Sequence, residues 1–372
     1  MKKLFLAASA ALLMWAVPTG SAAAAAASQR PAVTAVHFTG TFLPQQLVAV
    51  DGSVWALGSV GSNSSGRCEL DHIGGIGATL SQRFTPIPSC AVDVTAGNGM
   101  IYLLAQQGEA ASNIRQMHVE SFDPRTGVAT VMAPVVMGIV GSAIAHTDFT
   151  YGEGSLWLYA EDQAVGGPTV VRISPLTGQP VAPLTSVPAI GGLFPSVVVD
   201  ADGAWFAGGP AGSPDLVELP SGSSATRTTY SGPTNSAIIW LSAVHGEVWA
   251  EIADYGSGSK PSDLTHLQAF GGRATHAVGP DRDAGFFPLV TTSDGRLWTL
   301  SFPRQCAAGN AELDRVDPVT AAVSGVARLA VAPAVCDDGA DSESSTVAVG
   351  HGVFALIPAG ELGESILYRV RT

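Results

Sequence analysis

The stretch Leu47-Val48-Ala49-Val50-Asp51-Gly52-Ser53-Val54-Trp55-Ala56-Leu57 decides the fold. It consists of two short apolar runs separated by Asp51-Gly52, and an aromatic residue, Trp55, stands in the second run. Asp and Gly tolerate the positive φ angles of two-residue hairpin turns. The stretch therefore predicts two antiparallel strands joined by a tight turn.

The same unit recurs down the whole chain with an aromatic anchor each time. The anchors are Trp55, Tyr102, Trp157, Trp205, Trp249, Trp298 and Phe354, separated by 47, 55, 48, 44, 49 and 56 residues. A repeat of about 40 to 50 residues made of short apolar runs and turns is typical of a β-propeller, with one small sheet per repeat. We predict an all-β, seven-bladed β-propeller of four-stranded antiparallel blades, a single domain over residues 28–372. The anchors are expected in the packing between blades.

Each repeat continues with a longer loop, a third strand C and a more polar outer strand D. Turns such as Asp123-Pro124-Arg125-Thr126-Gly127 connect C to D, with Pro presetting φ and Gly closing the turn. The seventh repeat stops after its strand C, at Thr372. We predict that Val33 to Phe38 supplies strand D of the last blade, which joins the chain ends and removes an open sheet edge.

The N-terminus has the organisation of a secretory signal peptide over residues 1–27. Met1-Lys2-Lys3 precedes the apolar run Leu4 to Val17, and small residues follow. Cleavage is predicted between Ala23 and Ala27. We expect a protein that is secreted or retained in the periplasm or cell envelope, without membrane insertion.

The composition narrows the possible partners. The net charge is −13, with 13% charged and 46% hydrophobic residues. Nucleic acids and anionic membranes require basic patches, so neither is expected as a partner. The apolar content favours a large core, and we expect a monomer.

Four cysteines in an exported chain are expected to pair. Cys68 and Cys90 precede the third strand and follow the last strand of the first repeat, and Cys306 and Cys336 occupy equivalent places in the sixth. We predict the disulfides Cys68–Cys90 and Cys306–Cys336.

The B–C loops and D–A crossovers are the longer connections and lie together on one face, named here the long-loop face. The A–B and C–D turns form the opposite, short-turn face. Loops on a rigid scaffold commonly carry binding sites. Tyr159, Trp240, Tyr255 and Phe302, in or near the long loops, could supply contact area.

The residue nine before each anchor is expected at the rim of the central channel on the long-loop face. These residues are Gln46, Asp93, Asp148, Ser196, Trp240, Leu289 and Ser345. Asp93 and Asp148, with His146 nearby, could hold a divalent cation such as Ca²⁺ or Mg²⁺, or act as acid and base. The alternative is a polar rim that binds water. A second acidic cluster, Asp337 to Glu343, could bind Ca²⁺, although a solvated loop is expected.

Motifs of other enzyme classes are absent. The sequence contains no Gly-x-Ser-x-Gly, His-Glu-x-x-His, phosphate-binding loop or paired Cys-x-x-Cys. A nucleophile-based hydrolase is therefore not supported. His118 and His266, on strands C, are expected at sheet surfaces.

The unit Asp-Gly-x-Val-Trp with Arg-Ile/Val-Asp-Pro-x-Thr-Gly resembles exported bacterial propellers of the NHL, surface-layer YVTN and streptogramin B lyase group. It is carried by Asp51 to Trp55, Asp202 to Trp205, Asp294 to Trp298, Asp123 to Gly127 and Arg315 to Thr320. The lyase branch enters strand A with Pro-His-Gly, whereas this chain has Pro195-Ser196 and Pro288-Leu289. No catalytic residue is carried over.

Two functions remain open at this point. The first is a non-catalytic propeller that binds a protein, peptide or envelope glycan on its long-loop face. The alternative is a metal-dependent lyase or lactonase-type enzyme with its site at the channel mouth.

Overall fold

A computed structural model gives the fold of this chain. It describes residues 31–38, 42–60, 67–74, 84–107, 114–140, 147–162, 167–181, 185–186, 196–208, 214–223, 225–232, 234–254, 264–270, 278–280, 284–303, 310–330, 345–358 and 365–372. Within these ranges every regular element is a β-strand, and no helix long and apolar enough to cross a membrane occurs.

The strands form seven antiparallel sheets, one for each predicted repeat. Blade 1 contains β2 (Phe42–Val50), β3 (Ser53–Val60), β4 (Arg67–Gly74) and β5 (Phe84–Pro86). Blade 2 contains β6 (Ala91–Gly97), β7 (Met100–Gln107), β8 (Ile114–Asp123) and β9 (Val128–Val140). Blade 3 contains β10 (Thr147–Gly152), β11 (Ser155–Asp162), β12 (Gly167–Ile173) and β13 (Thr185–Ser186).

The next three blades repeat this order with local changes. Blade 4 contains β14 (Val197–Val199), β15 (Gly203–Gly208), β16 (Asp215–Pro220) and β17 (Arg227–Ser231). Blade 5 contains β18 (Ser236–Val244), β19 (Glu247–Asp254) and β20 (Leu264–Phe270), and Val278 adds an isolated bridge to Gln268 where a fourth strand would lie. In blade 6 the inner strand is split into β21 (Ala284–Phe286) and β22 (Val290–Thr291), followed by β23 (Leu297–Pro303), β24 (Asn310–Val316) and β25 (Val323–Ala330).

The last blade is closed by the N-terminal strand, as predicted. It contains β26 (Ser345–Val349), β27 (Gly352–Pro358) and β28 (Ser365–Arg371), with β1 (Ala32–His37) antiparallel to β28. The pairing runs from Ala32 opposite Arg371 to His37 opposite Ile366. The edge of β28 is thereby covered within the chain, and the seven-bladed β-propeller prediction is confirmed.

The hairpin turns have the chemistry expected from the sequence. Asp51 and Gly52 have φ angles of 47° and 75°, and His245 and Gly246 have 57° and 76°. Two consecutive positive φ angles define a type I′ turn, whose twist matches the flanking strands. Not every connection on the short-turn face is short: nine residues separate β4 from β5 in blade 1.

The core lies between neighbouring blades. All seven anchors are buried, with Trp55 at 5% exposure and Trp249 and Phe354 at 0%. Trp55 meets Phe122 of blade 2 edge to face at 5.2 Å between ring centroids. Truncating such a side chain to Ala typically costs about 3 to 5 kcal/mol, so the anchors hold the blades together.

The Cys68–Cys90 disulfide is confirmed, with its two Cα atoms 5.0 Å apart. It ties the first residues of β4 to the crossover that enters blade 2. Cys306 and Cys336 lie outside the described residues, so their pairing remains a prediction.

Candidate functional site at the channel rim

The innermost strands of neighbouring blades contact one another all the way around the channel. Side chains that begin these strands accept hydrogen bonds from backbone N–H groups of the next blade. Asp148 Oδ2 accepts from Val197 at 2.5 Å, Ser196 Oγ from Leu241 at 3.0 Å, and Ser345 Oγ from Leu47 at 3.0 Å. We call this ring of contacts the inter-blade belt.

Asp93 and Asp148 converge within the belt. Asp93 Oδ1 accepts the backbone N–H of Val94 at 2.7 Å, and Asp148 Oδ1 accepts that of Phe149 at 2.9 Å. Asp93 also accepts a hydrogen bond from Phe149 N–H and one from the side chain of Gln46. The two predicted carboxylates therefore share a donor, and three blades meet at this point.

The environment of the pair favours protonated carboxyl groups. Burial raises the pKa of Asp148 from its ordinary 3.8 to about 6, against the lowering effect of the Val197 and Phe149 N–H groups. Burial raises the pKa of Asp93 well above its usual range, and the negative charge of Asp148 raises it further. Two adjacent carboxylates resist being ionised together, so the pair is suited to retaining a proton.

The pair has two of the three groups proposed from the sequence for a cation or acid–base site. His146 and the acidic cluster Asp337 to Glu343 lie outside the described residues. Within the described ranges no group of three or more His, Cys, Asp or Glu side chains is placed to hold a metal ion. What the geometry does provide is hydrogen bonding between blades by two carboxyl groups whose pKa values are raised.

In blade 5 the residue predicted at the channel rim, Trp240, is part of the core. Trp240 is 7% exposed, packs between blades 5 and 6, and donates its indole N–H to Phe286 O at 2.5 Å. Ser242, two residues later, accepts the Leu289 N–H at 2.8 Å instead. Counting nine residues back from the anchor does not find Ser242, and a polar residue two positions further along the rim strand is the signal in the sequence.

Blade 6 shows that counting nine residues back from the anchor fails when the turn is longer. Val290 pairs with Trp298, whereas in blade 1 Val48 pairs with Trp55, so blade 6 has one extra residue. Leu289 therefore corresponds to Leu47, whose backbone N–H donates a hydrogen bond to the neighbouring blade, and the Leu289 side chain is buried. The rim position of blade 6 is Pro288, whose carbonyl accepts the Thr346 hydroxyl at 3.3 Å.

The channel wall is apolar on one side. A cavity of about 420 Å³ lies against Ala49, Ala243, Val290, Val347 and Ala348 from blades 1, 5, 6 and 7. His245, Thr291 and Thr346 also line this cavity, and the carboxylates of Asp93 and Asp148 come from blades 2 and 3.

The aromatic residues proposed as loop contacts are part of the core. Tyr159 and Phe302 are 1% and 5% exposed, and Trp240 is also buried. Tyr255 lies outside the described residues. The interpretation of Tyr159, Phe302 and Trp240 as contact area is wrong, because strand B carries the rings of Tyr159 and Phe302, and strand A that of Trp240, into the packing between blades.

His118 is buried at 3% exposure, which corrects its predicted surface position. Its Nε2 lies 3.0 Å from Glu120 Oε1 and 3.4 Å from Ser89 Oγ. A serine–histidine–carboxylate triad needs the serine and the carboxylate on different ring nitrogens. Here both approach Nε2, so this cluster does not have the geometry of a hydrolase triad.

No protein-family model and no curated protein sequence matches this chain. Solved structures do match in fold. The chain is similar to the β-propeller domain of the Trilobed protease from Pyrococcus furiosus, described as having an open velcro topology (10% identity, TM-score 0.55, covering 89% of this chain and 94% of that chain). It is also similar to the WD40 domain of Toxoplasma gondii coronin (11% identity, TM-score 0.51, covering 91% and 85%).

A third similar structure is that of a Mycobacterium tuberculosis puromycin-hydrolyzing peptidase (12% identity, TM-score 0.52). The match covers 87% of this chain and 52% of the peptidase chain. This chain thus corresponds to about half of that peptidase. At identities of 10 to 12%, these similarities show a propeller fold that serves both peptidases and WD40 proteins.

Proposed function

We propose that this protein is an exported β-propeller, akin to the NHL, YVTN and streptogramin B lyase group, that binds a protein, peptide or envelope-glycan partner on its long-loop face without catalysis. The observation that carries the proposal is the difference in length between the A–B turns and the B–C loops, although the C–D connections of blades 1 and 3 are as long as the B–C loops. Five A–B turns have two residues, whereas every B–C connection has four to nine. A disulfide stabilises the long-loop face where it joins blades 1 and 2.

The geometry at the rim supports a binding function over catalysis. The oxygens of Asp148 accept backbone N–H groups within and between blades, and Asp93 shares one of them. Carboxylates used in this way serve to hold blades in register. A rigid ring that presents long loops is a common arrangement for recognition.

Site-specific photocross-linking tests this proposal. We would introduce p-benzoylphenylalanine at Pro88 or Leu264, which are exposed beside the long-loop face, and at Leu176 or Val319, which are 88% and 77% exposed on C–D turns. Adducts should form in cells at the first two sites and not at the second two. Co-sedimentation with purified peptidoglycan tests a glycan partner. Equal adducts on both faces, or no adduct and no sedimentation, would refute the proposal.

The second candidate is a metal-dependent lyase or lactonase-type enzyme, and the convergence of Asp93 and Asp148 on one N–H favours it. Thermal unfolding with EDTA, Ca²⁺, Mg²⁺ and Mn²⁺ separates the candidates. A cation at 100 times its Kd stabilises the folded state by about 2.7 kcal/mol, a shift of several degrees. A shift lost in Asp93→Asn and Asp148→Asn would support the enzyme, and a cation shift retained in both would place the ion elsewhere.

A further inference from the structure

A second cavity lies between blades 1 and 2 on the short-turn face, at the opposite end of the strands from the channel rim. Its volume is about 260 Å³, and Asp51, Trp55, His72, Thr85 and Arg125 are among its lining residues. They come from β3, β4, β5, the A–B turn of blade 1 and the C–D turn of blade 2. The site is thus built from several elements and is independent of the proposed long-loop binding.

The indole N–H of Trp55 has no hydrogen-bond acceptor, although the side chain is 95% buried. Among the equivalent tryptophans, Trp157 donates to Gly152 O at 3.2 Å and Trp298 donates to Thr292 Oγ1 at 3.1 Å, whereas the indole N–H groups of Trp205 and Trp249, like that of Trp55, have no acceptor. An indole N–H can only donate, and a buried donor without an acceptor destabilises the folded state.

The strand register shows where the missing acceptor belongs. Gly152 and Thr292 each lie two residues after the residue that pairs with their tryptophan, and Val50 holds this position in blade 1. Val50 lines the cavity. The N–H edge of Trp55 therefore faces the cavity wall, and a ligand oxygen placed there would supply the acceptor.

Arg125 offers further donors at the same cavity. Its side chain is 72% exposed, and its Nε lies 3.4 Å from Asp123 Oδ1. Arginine has five N–H donors, so most of its capacity remains for a ligand. The turn holds Arg125 in place, because Asp123 accepts the backbone N–H of Arg125 at 2.9 Å and that of Gly127 at 2.8 Å.

We infer that this cavity binds a peptide carboxylate. Trp55 and Arg125 are pure donors, which select an anion. Asp51 at the same cavity and Asp123 beside Arg125 limit the negative charge that the cavity can accept, so a singly charged carboxylate fits better than a phosphate. The ring of His72 lies 4.5 Å from that of Trp55 and forms a flat wall for an adjacent side chain. The volume is below the range of about 300 to 1,000 Å³ of drug-sized sites, so the bound group is small.

Indole ¹⁵N–¹H spectra of the full mature protein test this inference. The probes are Ac-Ala-Ala-Ala with a free C-terminus, Ac-Ala-Glu-Ala amide, which carries the carboxylate on a side chain, and Ac-Ala-Ala-Ala amide, which has none. The Trp55 signal, assigned through Trp55→Phe, should move with one or both carboxylate peptides and not with the third. The signal of Trp249, also buried without an acceptor, should stay in place.

Calorimetry provides a measurement that does not depend on Trp55→Phe folding. Arg125→Ala should weaken the carboxylate peptide at least tenfold, because a charge-assisted hydrogen bond is lost. Arg328→Ala is the matched control, since Arg328 is 77% exposed and contacts Glu312 at 3.2 Å far from this cavity. Equal binding of the uncharged peptide, no binding of either carboxylate, or unchanged affinity in Arg125→Ala would overturn the inference. Tighter binding of inorganic phosphate than of carboxylate would do the same.

Discussion

Replacing Asp148 with Asn should change how the stability of this protein depends on pH. A carboxyl group with a raised pKa in the folded state binds its proton more tightly there than in the unfolded chain. The stability that Asp148 contributes is therefore fully present below pH 3.8 and is lost as the pH rises through about 6. Asn does not titrate, so the stability of Asp148→Asn does not fall in this way as the pH rises.

The size of the effect follows from the two pKa values. The difference between 3.8 and about 6 corresponds to about 3 kcal/mol, since each tenfold change in proton affinity is worth about 1.4 kcal/mol. Asn keeps only one acceptor oxygen for the N–H groups of Phe149 and Val197, which adds a cost of about 1 to 3 kcal/mol at every pH. Asp148→Asn should be clearly less stable than the wild type at pH 4 and comparable to it at pH 8.

Urea denaturation between pH 4 and pH 8 measures this difference. Asp294→Asn is the control whose gap to the wild type should stay nearly constant over this range, because the Thr292 hydroxyl lowers the pKa of Asp294 below its ordinary value. Its stabilising contribution is present above pH 3.8 and is lost as the pH falls through the folded-state value. If the gap between wild type and Asp148→Asn stays constant within about 0.5 kcal/mol, or widens with rising pH, the reasoning about the rim carboxylates fails.

Three further variants test the disulfide, the packing between blades and a turn. Cys68→Ser with Cys90→Ser opens a link between residues 22 apart and should lower the free energy of unfolding by about 3 kcal/mol, seen as a lower urea midpoint; an unchanged midpoint would contradict this. Gly97→Ala would place its Cβ 2.0 Å from the Tyr151 ring and should cost about 1 to 3 kcal/mol through overpacking. At Gly127 an added Cβ meets open space, but φ is 72°, so Gly127→Ala should cost about 1 to 2 kcal/mol through backbone strain alone. A larger loss of stability in Gly127→Ala than in Gly97→Ala would contradict overpacking as the dominant cost at Gly97.

The sequence determined the blade count, the hairpin turns and the closure of the ring. These features are local: Asp51-Gly52 adopts the two positive φ angles that its residue types allow. The count of strands left an unpaired edge at β28 that only Val33 to Phe38 could fill, and β1 fills it. The Cys68–Cys90 disulfide was also predictable from the repeat, because the start of strand C and the end of strand D lie side by side in one blade.

The tertiary structure alone decided which side chains meet between blades. Trp240 holds the rim position of β18, but its indole can only donate a hydrogen bond, so Ser242 two residues later accepts the Leu289 N–H of the next blade. The cavity at Trp55 likewise depends on the approach of a turn from blade 2. Contacts between repeats depend on inter-blade register and side-chain packing, which residues far apart in the chain set together and no local pattern encodes.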